Sequence, residues 1–109
     1  MDGLKIIGTS SAKLQLLHIS GAINSYTFSE FETKIFEAIK IANVVLDMSC
    51  VTHLSSSGLG VLMSANEEGE ELGHKIYIMQ PSNAVRLAID FTGFSEMFNF
   101  INSVEEVNN

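Results

Sequence analysis

Apolar and polar positions along this chain sort it into short strands and longer amphipathic segments. Leu4 to Gly8 and Leu14 to Ser20 are apolar runs parted by Thr9-Ser10-Ser11-Ala12. That pattern predicts a hairpin, with Gly21 ending its second strand. From Tyr26 to Ile41, Phe28, Phe31, Ile35 and Ile39 recur at helical spacing, and Phe36 and Ala42 widen the stripe. Thr27 and Glu30 predict a capping box at the start of that helix. Val44-Val45-Leu46, closed by Asp47, has the continuous apolar character of a strand covered on both faces. A short crossing then leads to a helix from Gly58 to Leu72, with Leu59, Leu62, Met63 and Asn66 recurring and Gly73 as its stop.

Lys75 to Met79 predicts a further strand, ended by Gln80-Pro81-Ser82. A third helix follows from Asn83 to Phe91, with Val85, Leu87, Ala88 and Phe91 expected inward, closing near Gly93. Phe98, Phe100 and Ile101 predict a short last strand, Val104 and Val107 a weak terminal helix, and the residues from Val104 to Asn109 a fraying end. The order is β-β-α-β-α-β-α-β-α. It predicts an α/β (α+β-like) chain forming one domain over residues 1–109. Its mixed sheet should have about four to five strands, with helices mainly on one side.

The most informative segment is Asp47 to Gly60, where three consecutive serines, Ser55, Ser56 and Ser57, stand at a helix mouth. A serine hydroxyl caps a helix by accepting a bond from a free backbone N–H. One cap needs one hydroxyl. The surplus sits where free N–H groups and the helix dipole favour added negative charge, a good place to accept and hold a phosphate. Gly58 and Gly60 are not followed by a lysine at P-loop spacing, so they predict close packing of helix on strand rather than a nucleotide cradle.

Composition narrows the class. The chain has 109 residues, 46% hydrophobic, and thirteen acids against six bases give a net charge of -7. The six bases, Lys5, Lys13, Lys34, Lys40, Lys75 and Arg86, are scattered. Nucleic acid and anionic membranes would repel such a surface. A lone Cys50 forms no internal disulfide and no metal pair, which fits a reducing, cytoplasmic setting. It is expected to be a small buried residue. No apolar run approaches the roughly 20 residues of a membrane span, so no direct membrane insertion is expected.

His18, His53 and His74 lack metal-ligand spacing, and His18 reads as a surface position of an alternating strand. No metal and no cofactor are expected. Glu67, Glu68, Glu70 and Glu71 read as a solvated helix face, and Met1, Met48, Met63, Met79 and Met97 as core filling, with Met63 also able to face a partner. A serine hydrolase would need a base and an orienting acid beside the nucleophile, and Gly-x-Ser-x-Gly is absent. The chain is therefore expected not to be an enzyme.

Asp47-Met48-Ser49-Cys50-Val51-Thr52-His53-Leu54-Ser55-Ser56-Ser57-Gly58-Leu59-Gly60 resembles the signature of the STAS domain family, most of all its bacterial anti-sigma factor antagonists. There a strand ends in Asp-x-Ser, five residues follow, and Asp-Ser-Ser/Thr-Gly-Leu-Gly opens a helix. The likeness runs along almost the whole chain, through Ile19 to Asn24, Gly73 to Ile78, Val85-Arg86-Leu87 and Thr92-Gly93-Phe94.

The resemblance implies partner switching. An unphosphorylated antagonist binds an anti-sigma factor that is also a serine kinase and so frees a sigma factor. Phosphorylation of a serine at the helix mouth separates the pair, and a PP2C-type phosphatase resets the cycle. The matching acceptor is Ser56, with Ser57 as runner-up. The implied partner surface is Asn24, Ser25, Ser55, Ser56, Ser57, Gly58 and Met63. Two family acids are replaced, by Ser55 and Asn24, and Ala22 stands where a glutamate is usual. The alternative is a soluble, unphosphorylated STAS subunit of a lipid or anion transport complex.

Overall fold

The computed structural model describes residues 3–11 and 13–107. Along the chain run β1 (Lys5–Ser10), β2 (Leu14–Ile23), α1 (Phe28–Ile41), β3 (Asn43–Leu54), α2 (Ser56–Leu72), β4 (Ile76–Met79), α3 (Asn83–Phe91) and β5 (Asn99–Ile101). Two 3-10 turns, Ser95–Met97 and Val104–Glu106, flank β5. The five strands form one mixed sheet in chain order. β1 is antiparallel to β2, and β2, β3, β4 and β5 are parallel. Ala12, in the predicted hairpin turn, and Met1 and Asn109 lie outside the described residues.

The helices gather on one face, as expected. Phe31, Ile35 and Ile39 of α1, Val61, Leu62 and Ala65 of α2, and Val85 and Ile89 of α3 share a single core with Ile19, Ile23, Leu46, Met48, Ile76 and Ile78 of the sheet. The opposite face carries a smaller cluster of Val45, Met79 and Ile101, against which Val104 and Val107 pack. The terminal apolar pair covers this patch from a 3-10 turn, Val104–Glu106, and the residue after it, where a weak helix was expected. Met48 and Met79 are core residues, whereas Met97 is 36% exposed.

β2 and β3 are longer than the apolar runs suggest. β2 continues through Gly21 to Ile23, and β3 runs past Asp47 to Leu54. The continuation is irregular. His18 pairs with Asp47 but Ser20 with Cys50, and Gly21 with Val51 but Ala22 with His53, so β3 holds an extra residue at each of two points. Such bulges break the strict alternation on which strand reading from sequence relies. Gly21 makes its turn with φ at +96°, and a Cβ there would collide with the Gly3 carbonyl. Cys50, expected to be buried, is turned out to solvent beyond the first bulge.

Two further expectations are corrected. Thr27 makes no side-chain cap on α1, so the predicted capping box is not formed. Its hydroxyl instead donates to the Ala22 carbonyl at 2.8 Å and accepts from the Asn24 N–H at 2.9 Å. In α3 only Val85 and Ile89 are buried, while Leu87 is 68% and Phe91 96% exposed. Val85 and Ile89 lie one turn apart and define the inward stripe. Leu87 then falls nearly opposite it, and Phe91 well round the helix.

Of the two glycines expected to pack closely, only Gly58 does so. A Cβ at Gly58 would come within 2.7 Å of both Ile23 Cγ2 and Leu54 Cδ1, whereas Gly60 faces open space. Gly58→Ala should therefore overpack the joint of α2 with β2 and β3 and cost about 1–3 kcal/mol. Gly60→Ala should gain up to about 1 kcal/mol from helix propensity. Chemical denaturation of the two variants checks this, and the predicted order is Gly60→Ala above parent above Gly58→Ala.

Candidate functional site at the mouth of the second helix

Two parallel strands, β2 and β3, deliver their C-terminal ends to one place, the point where crossover connections collect functional residues in sheets of this kind. The Ser55 N–H donates to the Ile23 carbonyl at 2.8 Å, joining the end of β2 to the start of α2. Ser55 is the N-cap: its backbone is extended and its hydroxyl accepts from the Gly58 N–H at 3.2 Å. The Ser55 carbonyl accepts the first bond of the helix, from Leu59 N–H at 2.9 Å. The N–H groups of Ser56 and Ser57 lie ahead of the helical ladder and have no carbonyl within it. Ser56 is exposed and Ser57 half-buried. No acid occupies the first turn, so the positive end of the helix dipole is not offset by a carboxylate of its own.

The residues after Ile23 fold back over the same corner. Asn24 Oδ1 accepts from the Tyr26 N–H at 2.8 Å and the Thr27 N–H at 3.1 Å, an Asx turn that sets the entry of α1. That use of the side chain needs only an oxygen two atoms from Cβ's carbon, which Asn and Asp both supply. Ser25 and Tyr26 project into solvent, Tyr26 at 92% exposure. The corner thus brings together Asn24, Ser25, Ser55, Ser56, Ser57 and Gly58. Met63 is two turns further along, about 10 Å from Ser56 by helix rise, and packs partly on the core. It flanks the mouth rather than forming it. Tyr26 is a surface aromatic at the site that the sequence pattern counted only as helix.

Sequence reasoning also passed over the pair behind the mouth. His18 Nδ1 and Asp47 Oδ2 are 2.7 Å apart, and Asp47 Oδ1 accepts from the Ser49 hydroxyl at 2.8 Å and the Ser49 N–H at 3.2 Å. Asp47 so stitches the first bulge of β3 and ties it to β2. Partial burial by itself would raise the Asp47 carboxyl. The Ser49 hydroxyl, His18 and the Ser49 N–H together outweigh that and hold it below its ordinary value. Period-two patterning shows His18 as a surface position, which it is, but not its partner 29 residues away.

Among the described residues no group of three His, Cys, Asp or Glu side chains is placed to hold a metal ion. A cleft of about 640 Å³ lies at the other end of α2, beside Asn66 and His74, away from the serines. His74 Nδ1 is committed to the Ile39 carbonyl at 2.6 Å. No helix is long and apolar enough to cross a membrane among the described residues.

The fold and the mouth define a small mixed α/β domain that offers a serine-rich helix N-terminus at the end of two parallel strands. The chain belongs to the STAS domain family, whose model matches residues 5–107. Among solved structures it is similar to an anti-sigma factor antagonist from Mycobacterium paratuberculosis, with a TM-score of 0.82 and 23% identity over 96% of this chain and 91% of that one. It is also similar to the anti-sigma factor antagonist SpoIIAA in its unphosphorylated form, with a TM-score of 0.76 and 16% identity over 98% of this chain and 100% of that one. SLC26A9 matches with a TM-score of 0.74 and 13% identity over 90% of this chain but 19% of that one. These identities show a shared fold.

The Asp47 carboxylate has a consequence in pH. Because its folded pKa is lowered, it stabilises the fold above its unfolded pKa, and that contribution is lost as pH falls through the lower folded value. Asp47→Asn should be less stable than the parent at neutral pH, and the gap should close below about pH 4. Thermal melts of both chains across that range check the sign.

Proposed function

We propose that this STAS domain is an anti-sigma factor antagonist. In its unphosphorylated form it binds an anti-sigma factor serine kinase through the mouth of α2, and phosphorylation of Ser56 ends the complex. One observation carries the reading. Of the three serines at the mouth, Ser55 spends its hydroxyl on the cap and Ser57 is half-buried, which leaves Ser56 exposed at the first helical position. A phosphate on Ser56 brings about -1.5 to -2 charge to a helix end that favours anions. The domain tolerates it, and a partner face packed against the same corner does not, because unmatched charge in an interface is costly.

The missing family acids fit this reading. Asn24 keeps the Asx turn an aspartate would make, and Ser55 keeps the cap an aspartate would make. Both replacements lower the negative potential around the acceptor. A PP2C-type phosphatase would restore the binding form, in the cytoplasm where sigma factors act. Similarity to SLC26A9 supports a second reading, a soluble STAS subunit docked on a lipid or anion transporter and not phosphorylated. That reading needs the same surface but no acceptor.

Incubation of the whole chain with ATP and the serine kinases of its own genome, read by intact mass and peptide mapping, separates the two. One phosphate on Ser56, absent in Ser56→Ala, is expected. Ser56→Ala should keep partner binding, and Ser56→Asp should weaken it at least about tenfold, which requires only about 1.4 kcal/mol. Far-UV circular dichroism and melting temperature should change little in either variant. Phosphate on Ser57, or full binding by Ser56→Asp, would overturn the acceptor assignment or the charge mechanism. No phosphate with any kinase, together with capture by a transporter subunit, would establish the second reading.

A further inference from the structure

The outer face of α3 carries apolar surface that the mouth of α2 does not use. Leu87 is 68% exposed, Phe91 96% and Phe94 58%, three large apolar side chains within eight residues. Between Leu87, Ala88 and Phe91 lies a hollow of about 360 Å³ lined by those residues alone. Contiguous apolar surface of this kind marks an interface more often than it marks chance.

We infer that this face is a self-association surface, and that its occupant is the α3 face of a second copy packed antiparallel about a two-fold axis near Ala88. The argument is complementarity under that symmetry. An isologous contact must be its own mate, so each group has to find its partner at the reflected position along the helix. Arg86 and Asp90 stand symmetrically about Ala88, on one flank of the stripe. Within one chain they lie 3.6 Å apart, with each side chain 48% exposed. In the antiparallel pair Arg86 of one copy comes opposite Asp90 of the other, twice.

Leu87 and Phe91 then run along the seam, each copy offering both the projecting ring and the hollow that takes it. Arg86 is already steadied, its guanidinium 4.0 Å from the centre of the Phe100 ring. Charge points to the same face. Two chains of net charge -7 repel, and this helix, with one base and one acid, offers an approach free of net charge. Leu87 and Phe91 from each copy place up to about 800 Å² in contact, which suits a weak, concentration-dependent dimer.

Sedimentation equilibrium of the whole chain, from micromolar to millimolar, should show monomer passing to dimer. Phe91→Asp should raise the dissociation constant at least about tenfold. Its melting temperature at low concentration should not change, since the side chain is almost fully exposed. Charge pairing gives a test that a folding defect cannot imitate. Arg86→Glu and Asp90→Lys should each self-associate less than the parent, and an equimolar mixture of the two should form a heterodimer tighter than either homodimer. A parent chain monomeric at millimolar concentration, a Phe91→Asp dimer as strong as the parent's, or no preference for the mixed pair would overturn the inference. So would a monomer that binds neutral phosphatidylcholine vesicles through Phe91, which would assign the face to lipid.

Discussion

The hydrogen bond from the Ser55 N–H to the Ile23 carbonyl is the point on which the corner turns. It can form only because β3 reaches Leu54 in step with the end of β2, and β3 arrives in step only by holding two extra residues. The first is fixed by the Asp47 carboxylate, which grips Ser49 on its own strand and faces His18 on the next. Gly58 then lets α2 descend onto Ile23 and Leu54 without a side chain between. Remove any one of these and the serines move relative to the Asn24 turn. Under the proposed function that rigidity matters, because a phosphate on Ser56 that could swing away from the interface would lose its leverage on a partner.

The outline of the fold was legible because burial on one face imposes a period. Each helix buries one apolar stripe, and the three helices, the parallel core strands and the glycine stop at Gly73, with φ at +78°, follow from spacing and composition. Where the reading failed, a local rule met a competing tertiary one. β3 looked as short as its apolar run because Asp47, Ser49, Cys50, Thr52 and His53 break the pattern, and they break it because bulges rotate side chains outward. Thr27 and Glu30 had the letters of a capping box, but the Thr27 hydroxyl is drawn instead to Ala22 and Asn24 across the turn.

Leu87 and Phe91 show the other kind of limit. Hydrophobicity marks a side chain that gains by leaving water, and it does not say whether the cover comes from the same chain or another. With Val85 and Ile89 holding the inward stripe, α3 has apolar residues on more than one side, which sequence alone reads as a wider stripe on one. The serine-rich helix mouth was legible for the opposite reason. Three hydroxyls at one helix start exceed what capping uses, and an excess over structural need is visible without coordinates.

The replacement of two acids at the mouth follows from separating geometry from charge. Asn24 accepts the same two N–H bonds that a carboxylate would, and Ser55 caps Gly58 as an aspartate would, so the backbone of the corner is indifferent to the change. The field is not indifferent. With no acid in the first turn of α2, the two free N–H groups and the helix dipole face solvent without an internal anion to offset them. An incoming phosphate therefore meets attraction from the helix and no repulsion from a neighbouring carboxylate, while the rest of the chain, at -7, keeps its general repulsion of anionic partners. The mouth is then a place on an acidic surface where added negative charge is locally favoured, with free donors directed at solvent.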